Sequence, residues 1–272
     1  MSSRSWAASG QTVCLLSGGP SAEAAASRKS AQGVYGALAP AFDVVWLDLC
    51  SDGGLELVAA PEALSDLLDG QSGQANHWRT NFRRAVACAN TQIVFPAIHG
   101  QIGEDGQLQS LCDELGLCCV GSDAGASLAC YDKVRFKGLM ETARLPIAPY
   151  VTVELEKFAA DGGPAEAIGD GLGYPCIVKP ARAGSSLGLS RVERPAVLDA
   201  ALADAFALDD VAVVERFVPG CDVEIGISDG GSPIVGGPVE VEYDGELYDF
   251  EVKYAGDLDW AVSECSRQLG AR

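Results

Sequence analysis

Short apolar runs that stop at glycine-rich turns alternate with helix-like stretches in the first part of the chain. This alternation restricts the fold more than any other feature. Thr12–Leu16 is apolar and ends in Ser17-Gly18-Gly19-Pro20, the pattern of a strand stopping at a turn. Ser21–Leu38 follows as a helix, with Ser21 as N-cap and Glu23 in the first turn, where negative charge is favoured. Val44–Leu49 reads as a second strand, Pro61–Leu68 and Trp78–Ala89 as helices, and Gln92–Ile98 as a third strand. The loop HGQIGEDG and a helix over Glu104–Leu115 come next. Strands separated by helices fold as a parallel α/β sheet.

The pattern then changes. A helical stretch, Ser127–Arg144, leads to strand-like runs at Tyr150–Val153, Tyr174–Lys179, Leu187–Val192, Val211–Val218, Val223–Ser228, Ile234–Val241 and Glu246–Lys253. Only one clear helix, Pro195–Ala207, interrupts them. A mostly antiparallel second unit is expected, with the junction near residue 125: domains of 1–125 and 126–272.

The 272 residues carry a formal net charge of −19, which disfavours nucleic acid and anionic membranes as partners. No apolar run reaches the length of a membrane span. The start, MSSRSWAASG, has no apolar core of a signal peptide, so a cytoplasmic protein is expected, or an organellar one whose targeting peptide has been removed. Ten cysteines lie outside CxxC spacing and read as small buried hydrophobes in a reducing compartment. Two histidines, His77 and His99, argue against a His-rich zinc site.

Five segments carry chemistry. Ser17–Glu23 follows a strand and opens a helix, where glycines admit a ligand and Glu23 can hold a cationic amine; a plain turn with an exposed acid is the alternative. HGQIGEDG follows an apolar strand, and His99 reads as substrate-facing at the same sheet edge as Glu23; a satisfied loop histidine with Glu104 and Asp105 as helix-start acids is the alternative. In KPARAGSSLG, Lys179 ends an apolar strand and a Gly/Ser loop with Ser185 follows, a pattern suited to phosphate oxygens; a flexible hairpin loop is the alternative. It is not a P-loop, because the GxxxxGK[ST] order is missing. Glu215-Arg216-Phe217-Val218 ends another strand, whose edge presents amide groups to adenine while Asp222 accepts from ribose; a surface acid at a sheet edge is the commoner case. Lys253 and Tyr254 end the last strand-like run as a phosphate contact and a hydrogen-bond donor; ordinary surface side chains account for them equally. GxSxG and GxGxxG are both absent.

In this order the segments GGPSAE, VFPAIHGQIGEDGQLQ, VGSDAGASLACYDKVRFKGLM, YPCIVKPARAGSSLGLSRV, VVERFVPGCDVEI and LYDFEVKY resemble D-alanine–D-alanine ligases of the ATP-grasp class. The resemblance implies an N-terminal parallel α/β domain. A mostly antiparallel nucleotide-binding lid, roughly 145–215, and an incomplete C-terminal sheet would follow. It implies ATP and Mg2+, D-alanine as substrate, a homodimer, and a dipeptide made through an acyl phosphate for peptidoglycan. Glu23 would anchor the amino group of the first D-alanine and His99 would lie near its carboxylate. Lys133, Lys179 and Lys253 would meet ATP phosphates. Ser185, in the lid loop, would join Tyr254 and Glu23 in a hydrogen-bonded set. Glu215, Arg216, Phe217 and Val218 would hold adenine, and Asp222 the ribose.

The sequence departs from the family at three places. Ala24 and Ala25 stand where a His-Glu pair is usual, and the ribose acid, usually Glu, is the shorter Asp222. The family's magnesium-binding acids and amide, and its arginine for the tetrahedral intermediate, have no counterpart here; Asp249, Glu251 and Asp257 lie nearby in sequence, but no spacing supports them as substitutes. No metal ligand is therefore assigned. Three readings stay open beside the dipeptide ligase: a homologue that binds nucleotide or amino acid without turnover, a ligase for another amino or hydroxy acid, and a subunit completed by a partner chain.

Overall fold

A computed structural model describes residues 11–62, 77–161, 168, 171–229, 232–243, 253 and 261–264. The chain forms two compact units, Met1–Ile147 with Ala181–Gly184, and Ala148–Pro180 with Ser185–Arg272.

The first unit is built on a five-stranded sheet. Its strands are β1 (Thr12–Gly18), β2 (Asp43–Leu49), β3 (Leu55–Ala59), β4 (Ile93–Pro96) and β5 (Cys118–Cys119), in the spatial order β3-β2-β1-β4-β5. β2, β1, β4 and β5 are mutually parallel, and β3 runs antiparallel to β2. The sheet is therefore mixed: β3 and β5 escaped the sequence pattern, β3 because its half-exposed alternation is short and β5 because it has only two residues. β1 and β2 are buried almost throughout, as expected of strands covered on both faces. On one face Cys14, Leu16, Val45 and Leu47 pack with Phe82 of helix α2 (Trp78–Cys88) and Leu108 and Leu111 of α3 (Gln107–Leu115). On the other, Leu15, Val44 and Trp46 pack with Ala31 of α1 (Ala24–Leu38).

Several boundaries differ from the sequence expectation. Ser21 does not cap α1: Glu23 holds that position, and the Ser21 hydroxyl donates instead to the His99 carbonyl at 2.8 Å. The helix expected from Glu104 begins at Gln107, because Asp105 turns back to accept from the backbone N–H groups of Ile102 and Gln107. The single helix expected over Ser127–Arg144 is two, α4 (Ala124–Tyr131) and α5 (Lys133–Thr142). Asp132 separates them in extended conformation and caps α5 by accepting from Val134 and Arg135. Only Glu62 of the Pro61–Leu68 expectation that lies beyond Pro61 is described, and it is helical.

In the second unit, β6 (Tyr150–Glu154), β7 (Cys176–Pro180), β8 (Ser190–Val192) and β9 (Val211–Arg216) form an antiparallel sheet in the order β6-β9-β7-β8. Helix α6 (Leu155–Asp161) follows β6, and α7 (Leu198–Phe206) packs Leu198, Leu202 and Ala205 on Cys176, Val178, Ala212 and Val214. The expected strand at Leu187 begins only at Ser190, after a loop with Ser185, Ser186 and Gly188 at positive φ. Val223–Ser228 and Ile234–Val241 are each broken in two. They become β10 (Asp222–Glu224), β11 (Ile227–Asp229), β12 (Pro233–Val235) and β13 (Val239–Glu242). β11 pairs with β12, and β13 pairs with β10 and with β14 (Ala261–Glu264). Lys253 is helical rather than a strand end; 246–252 lie outside the described residues.

Nine cysteines are described, all as free thiols, and only Cys14, Cys112 and Cys176 are buried. The expectation of buried cysteines fails at Cys88, Cys118, Cys130 and Cys221, which sit on exposed helix, short-strand and loop positions where periodicity gives no burial signal. Among the described residues no helix is long and apolar enough to cross a membrane.

Candidate functional site

The first unit places its motif loops where the sheet changes direction. From β1 the chain moves outward to β2 and later returns to β4 on the other side. Connections leaving β1 and β4 diverge, and a crevice opens at their carboxyl ends, the usual ligand position in such sheets. The loops carrying Glu23 and His99 both start there. Glu23 is only 4% exposed. Its carboxylate is walled by glycine backbone: a Cβ on Gly100 would come within 2.8 Å of Glu23 Oε2, and one on Gly184 within 3.0 Å of both oxygens. His99 is half-buried and tied to the Glu23 loop by the Ser21 bond to its carbonyl.

Glu104 belongs to the same centre. Its pKa is raised, first by loss of solvent around the carboxyl and also by the neighbouring Glu23 charge, while a Gly100 N–H and His99 act in the opposite sense. Two acids close together with one pushed toward the neutral form are poised to receive a cation. Sequence reasoning placed Glu104 at the start of a helix and gave it no role in the site; its shared motif with His99 was the available signal.

Lys133 opens α5, and its Nζ donates to the carbonyl of Ala183 at 2.5 Å, with Ala181 at 3.4 Å. The Tyr131 hydroxyl donates to the Arg182 carbonyl at 2.9 Å. These bonds hold the segment that carries Gly184. A cavity of about 490 Å3 lies here, lined by Glu104, Gln109, Tyr131, Lys133 and Gly184.

The second unit has its own cavity, of about 500 Å3, which brings together Lys179, Ser186, Glu215 to Val218, Asp222 and Lys253. Lys179 and Glu215 occupy neighbouring strands β7 and β9, two positions out of direct register, and their side chains meet at 2.5 Å. Lys253 Nζ donates to the Ser186 hydroxyl at 2.8 Å. Ser185 and Ser186 have φ of 50° and 58°, a region that L residues seldom occupy and that concentrates at ligand-binding loops.

The segment expected to hold adenine is not at a sheet edge, contrary to the sequence reading. β9 lies between β6 and β7, the Arg216 N–H donates to the Pro149 carbonyl, and the Phe217 N–H donates to the Pro175 carbonyl. Arg216 Nε donates to the Leu172 carbonyl. Beyond Arg216 the strand ends, leaving Phe217 and Val218 to line the cavity. Two contributors were missed. The Arg191 guanidinium stacks 4.3 Å from the Phe217 ring centroid, and the Tyr243 hydroxyl donates to Asp222 Oδ2 at 2.7 Å. Neither is legible in a local motif, because both act across strands. Tyr254, Asp257 and the Asp249/Glu251 pair lie outside the described residues.

Among the described residues no group of three or more His, Cys, Asp or Glu side chains is arranged to hold a metal ion.

Comparison with known proteins covers both units. A family model described as "D-ala D-ala ligase N-terminus" matches residues 12–122, and one described as "D-ala D-ala ligase C-terminus" matches 139–270. A D-alanine–D-alanine ligase from Deinococcus radiodurans is 35% identical over 246 residues, spanning 89% of this chain and 71% of the relative. One from Kineococcus radiotolerans is 36% identical over 268 residues, again 89% and 71%. The crystal structure of D-alanyl-alanine synthetase A from Vibrio cholerae superposes with a TM-score of 0.71 over 94% of this chain and 74% of that one; at 23% identity the likeness is one of fold. The VanG D-Ala:D-Ser ligase from Enterococcus faecalis gives 0.68 at 25% identity, over 88% and 72%.

Proposed function

The chain belongs to the D-alanine–D-alanine ligase family, of the ATP-grasp fold, and we propose that it joins two D-alanines at the expense of ATP. The observation that carries this reading is the second unit's cavity. There two lysines, a Gly/Ser loop, a strand end and an acid line one space of about 500 Å3, the set of groups a nucleoside triphosphate requires.

In this reading the Lys179 and Lys253 ammonium groups meet phosphate oxygens, and the 184–188 loop supplies backbone N–H groups and hydroxyls around them. Lys133 is assigned to the same phosphates. Phe217 and Val218 bound the adenine, with Glu215 and Arg216 completing the strand end, and Asp222 accepts from the ribose. Glu23 holds the ammonium of the first D-alanine, and its buried setting strengthens the pairing by excluding water. His99 lies by the carboxylate of that substrate. Ser185 and Tyr254 are assigned to substrate orientation.

A carboxylate is a poor acyl donor. One D-alanine carboxylate oxygen takes the γ-phosphoryl group of ATP, giving an acyl phosphate and ADP. The amine of the second D-alanine attacks the acyl carbon, the amide C–N bond forms, the acyl C–O bond breaks, and inorganic phosphate leaves with one proton released. The chain's part is to orient the reactants, neutralise phosphate charge and keep water from the acyl phosphate. The product serves peptidoglycan synthesis, and we place the reaction in the cytoplasm, in a homodimer.

Phosphate release from ATP in Mg2+ buffer, with and without D-alanine, tests the reading. D-alanine-dependent release with formation of the dipeptide is expected. Release that ignores D-alanine overturns it.

A further inference from the structure

The nucleotide cavity contains a pair that the family resemblance does not supply. Asp222 stands on β10 directly opposite Val241 of β13, and Tyr243 lies two residues past Val241. Period-two alternation puts Tyr243 on the same face as Val241 and Asp222, as a diagonal cross-strand neighbour within reach of an aromatic side chain. The hydroxyl makes that contact, donating to Asp222 Oδ2 at 2.7 Å, and both residues line the cavity of about 500 Å3. Among the described residues Asp222 Oδ1 has no hydrogen-bond partner.

We propose that Tyr243 is a specificity-determining residue for the nucleotide sugar: it fixes the short Asp222 carboxylate so that Oδ1 is presented to a ribose hydroxyl. This rests on the assignment of Asp222 to ribose made above. The need follows from length. The family's usual glutamate is longer by one carbon–carbon bond, about 1.5 Å. An aspartate on an exposed strand has less reach and several rotamers, so without a partner it spends part of its time turned away. A phenol donating to one oxygen removes that freedom and leaves the other oxygen as a preset acceptor. The phenol is itself held protonated, its pKa pushed up to about 12 by burial and by the bond to Asp222, so it stays a donor at every pH at which the protein works.

Equilibrium binding of ATP and of 2′,3′-dideoxy-ATP to the full chain tests this. The wild-type chain is expected to prefer ATP by about tenfold, the worth of one hydrogen bond to a charged acceptor. Tyr243→Phe keeps the ring and removes the donor. It should cut the preference to about threefold or less, with the loss falling on ATP. Combining Asp222→Glu with Tyr243→Phe should restore the preference, since a glutamate reaches the sugar unaided. If Tyr243→Phe leaves the preference intact while Asp222→Asn abolishes it, the role of Tyr243 is overturned and the ribose assignment stands. Equal weakening of both nucleotides by Tyr243→Phe overturns the role too, because that is the mark of a structural effect. A preference that neither variant changes, or no binding of ATP at all, overturns the ribose assignment together with this inference.

Discussion

Lys179 Nζ lies 2.5 Å from Glu215 Oε2, with the side chains 22% and 12% exposed. The lysine that ends β7 is therefore held by a carboxylate two positions out of register on β9 before any phosphate arrives. Such a pair fixes the direction of the ammonium and spares it part of the entropy cost of meeting a ligand.

Lys179→Ala removes that charge and takes the ammonium away from the mostly buried Glu215 carboxylate. ATP affinity should fall at least about tenfold, and the unfolding free energy by about 1–3 kcal/mol. Glu215→Gln should restore most of the stability to Lys179→Ala but none of the affinity. Calorimetric titration and denaturant midpoints separate the two effects, and unaltered ATP binding in Lys179→Ala would end the phosphate assignment.

Glu23 is closed in by the backbones of Gly100 and Gly184, so a glutamine fits the same space without its charge. Glu23→Gln should fold normally and raise the KM for D-alanine by about 10- to 100-fold, while the KM for ATP changes little. Steady-state kinetics with each substrate varied in turn decide it. A rise confined to ATP contradicts the ammonium assignment.

A Cβ on Gly103 would lie 2.2 Å from the Ile98 carbonyl oxygen, whereas one on Gly33, exposed within α1, would meet nothing within 4 Å. Gly103→Ala should destabilise the chain by about 3 kcal/mol, because backbone has to move. Gly33→Ala should stabilise it by about 1 kcal/mol, because helical glycine is entropically costly. Urea unfolding of the two variants should shift in opposite directions.

Glu104 carries a raised pKa in the folded protein, chiefly from desolvation. A raised carboxyl binds more protons folded than unfolded, so its contribution to stability declines as pH climbs from the unfolded value through the folded one. Glu104→Gln should flatten that decline: a higher melting temperature than wild type at pH 7, and none of the advantage at pH 4. Glu104 is exposed as a residue, so solvent screening keeps the difference small. A variant equal to wild type at both pH values refutes the linkage.

The motif loops were legible because glycines, lone charges and strand ends leave a local trace. Glu23, His99, Lys179 and Asp222 could all be singled out before any coordinates. Short or irregular pieces left none. β3 and β5 are too brief for a periodic signal, and the break at Asp132 is one capping residue inside an otherwise continuous helical pattern.

By itself the sequence determined the α/β alternation and the antiparallel second unit, and it singled out the residues proposed to carry chemistry, since each depends on side-chain periodicity or on residue type at a turn. Tertiary structure alone decided the partners. It placed Lys179 on Glu215, Lys253 on Ser186, Lys133 on the Ala183 carbonyl and Tyr243 on Asp222, and it put β9 inside its sheet. Register, strand order and the meeting of residues as far apart as Ser21 and His99, 78 positions, are set by packing across elements, and no local pattern encodes them.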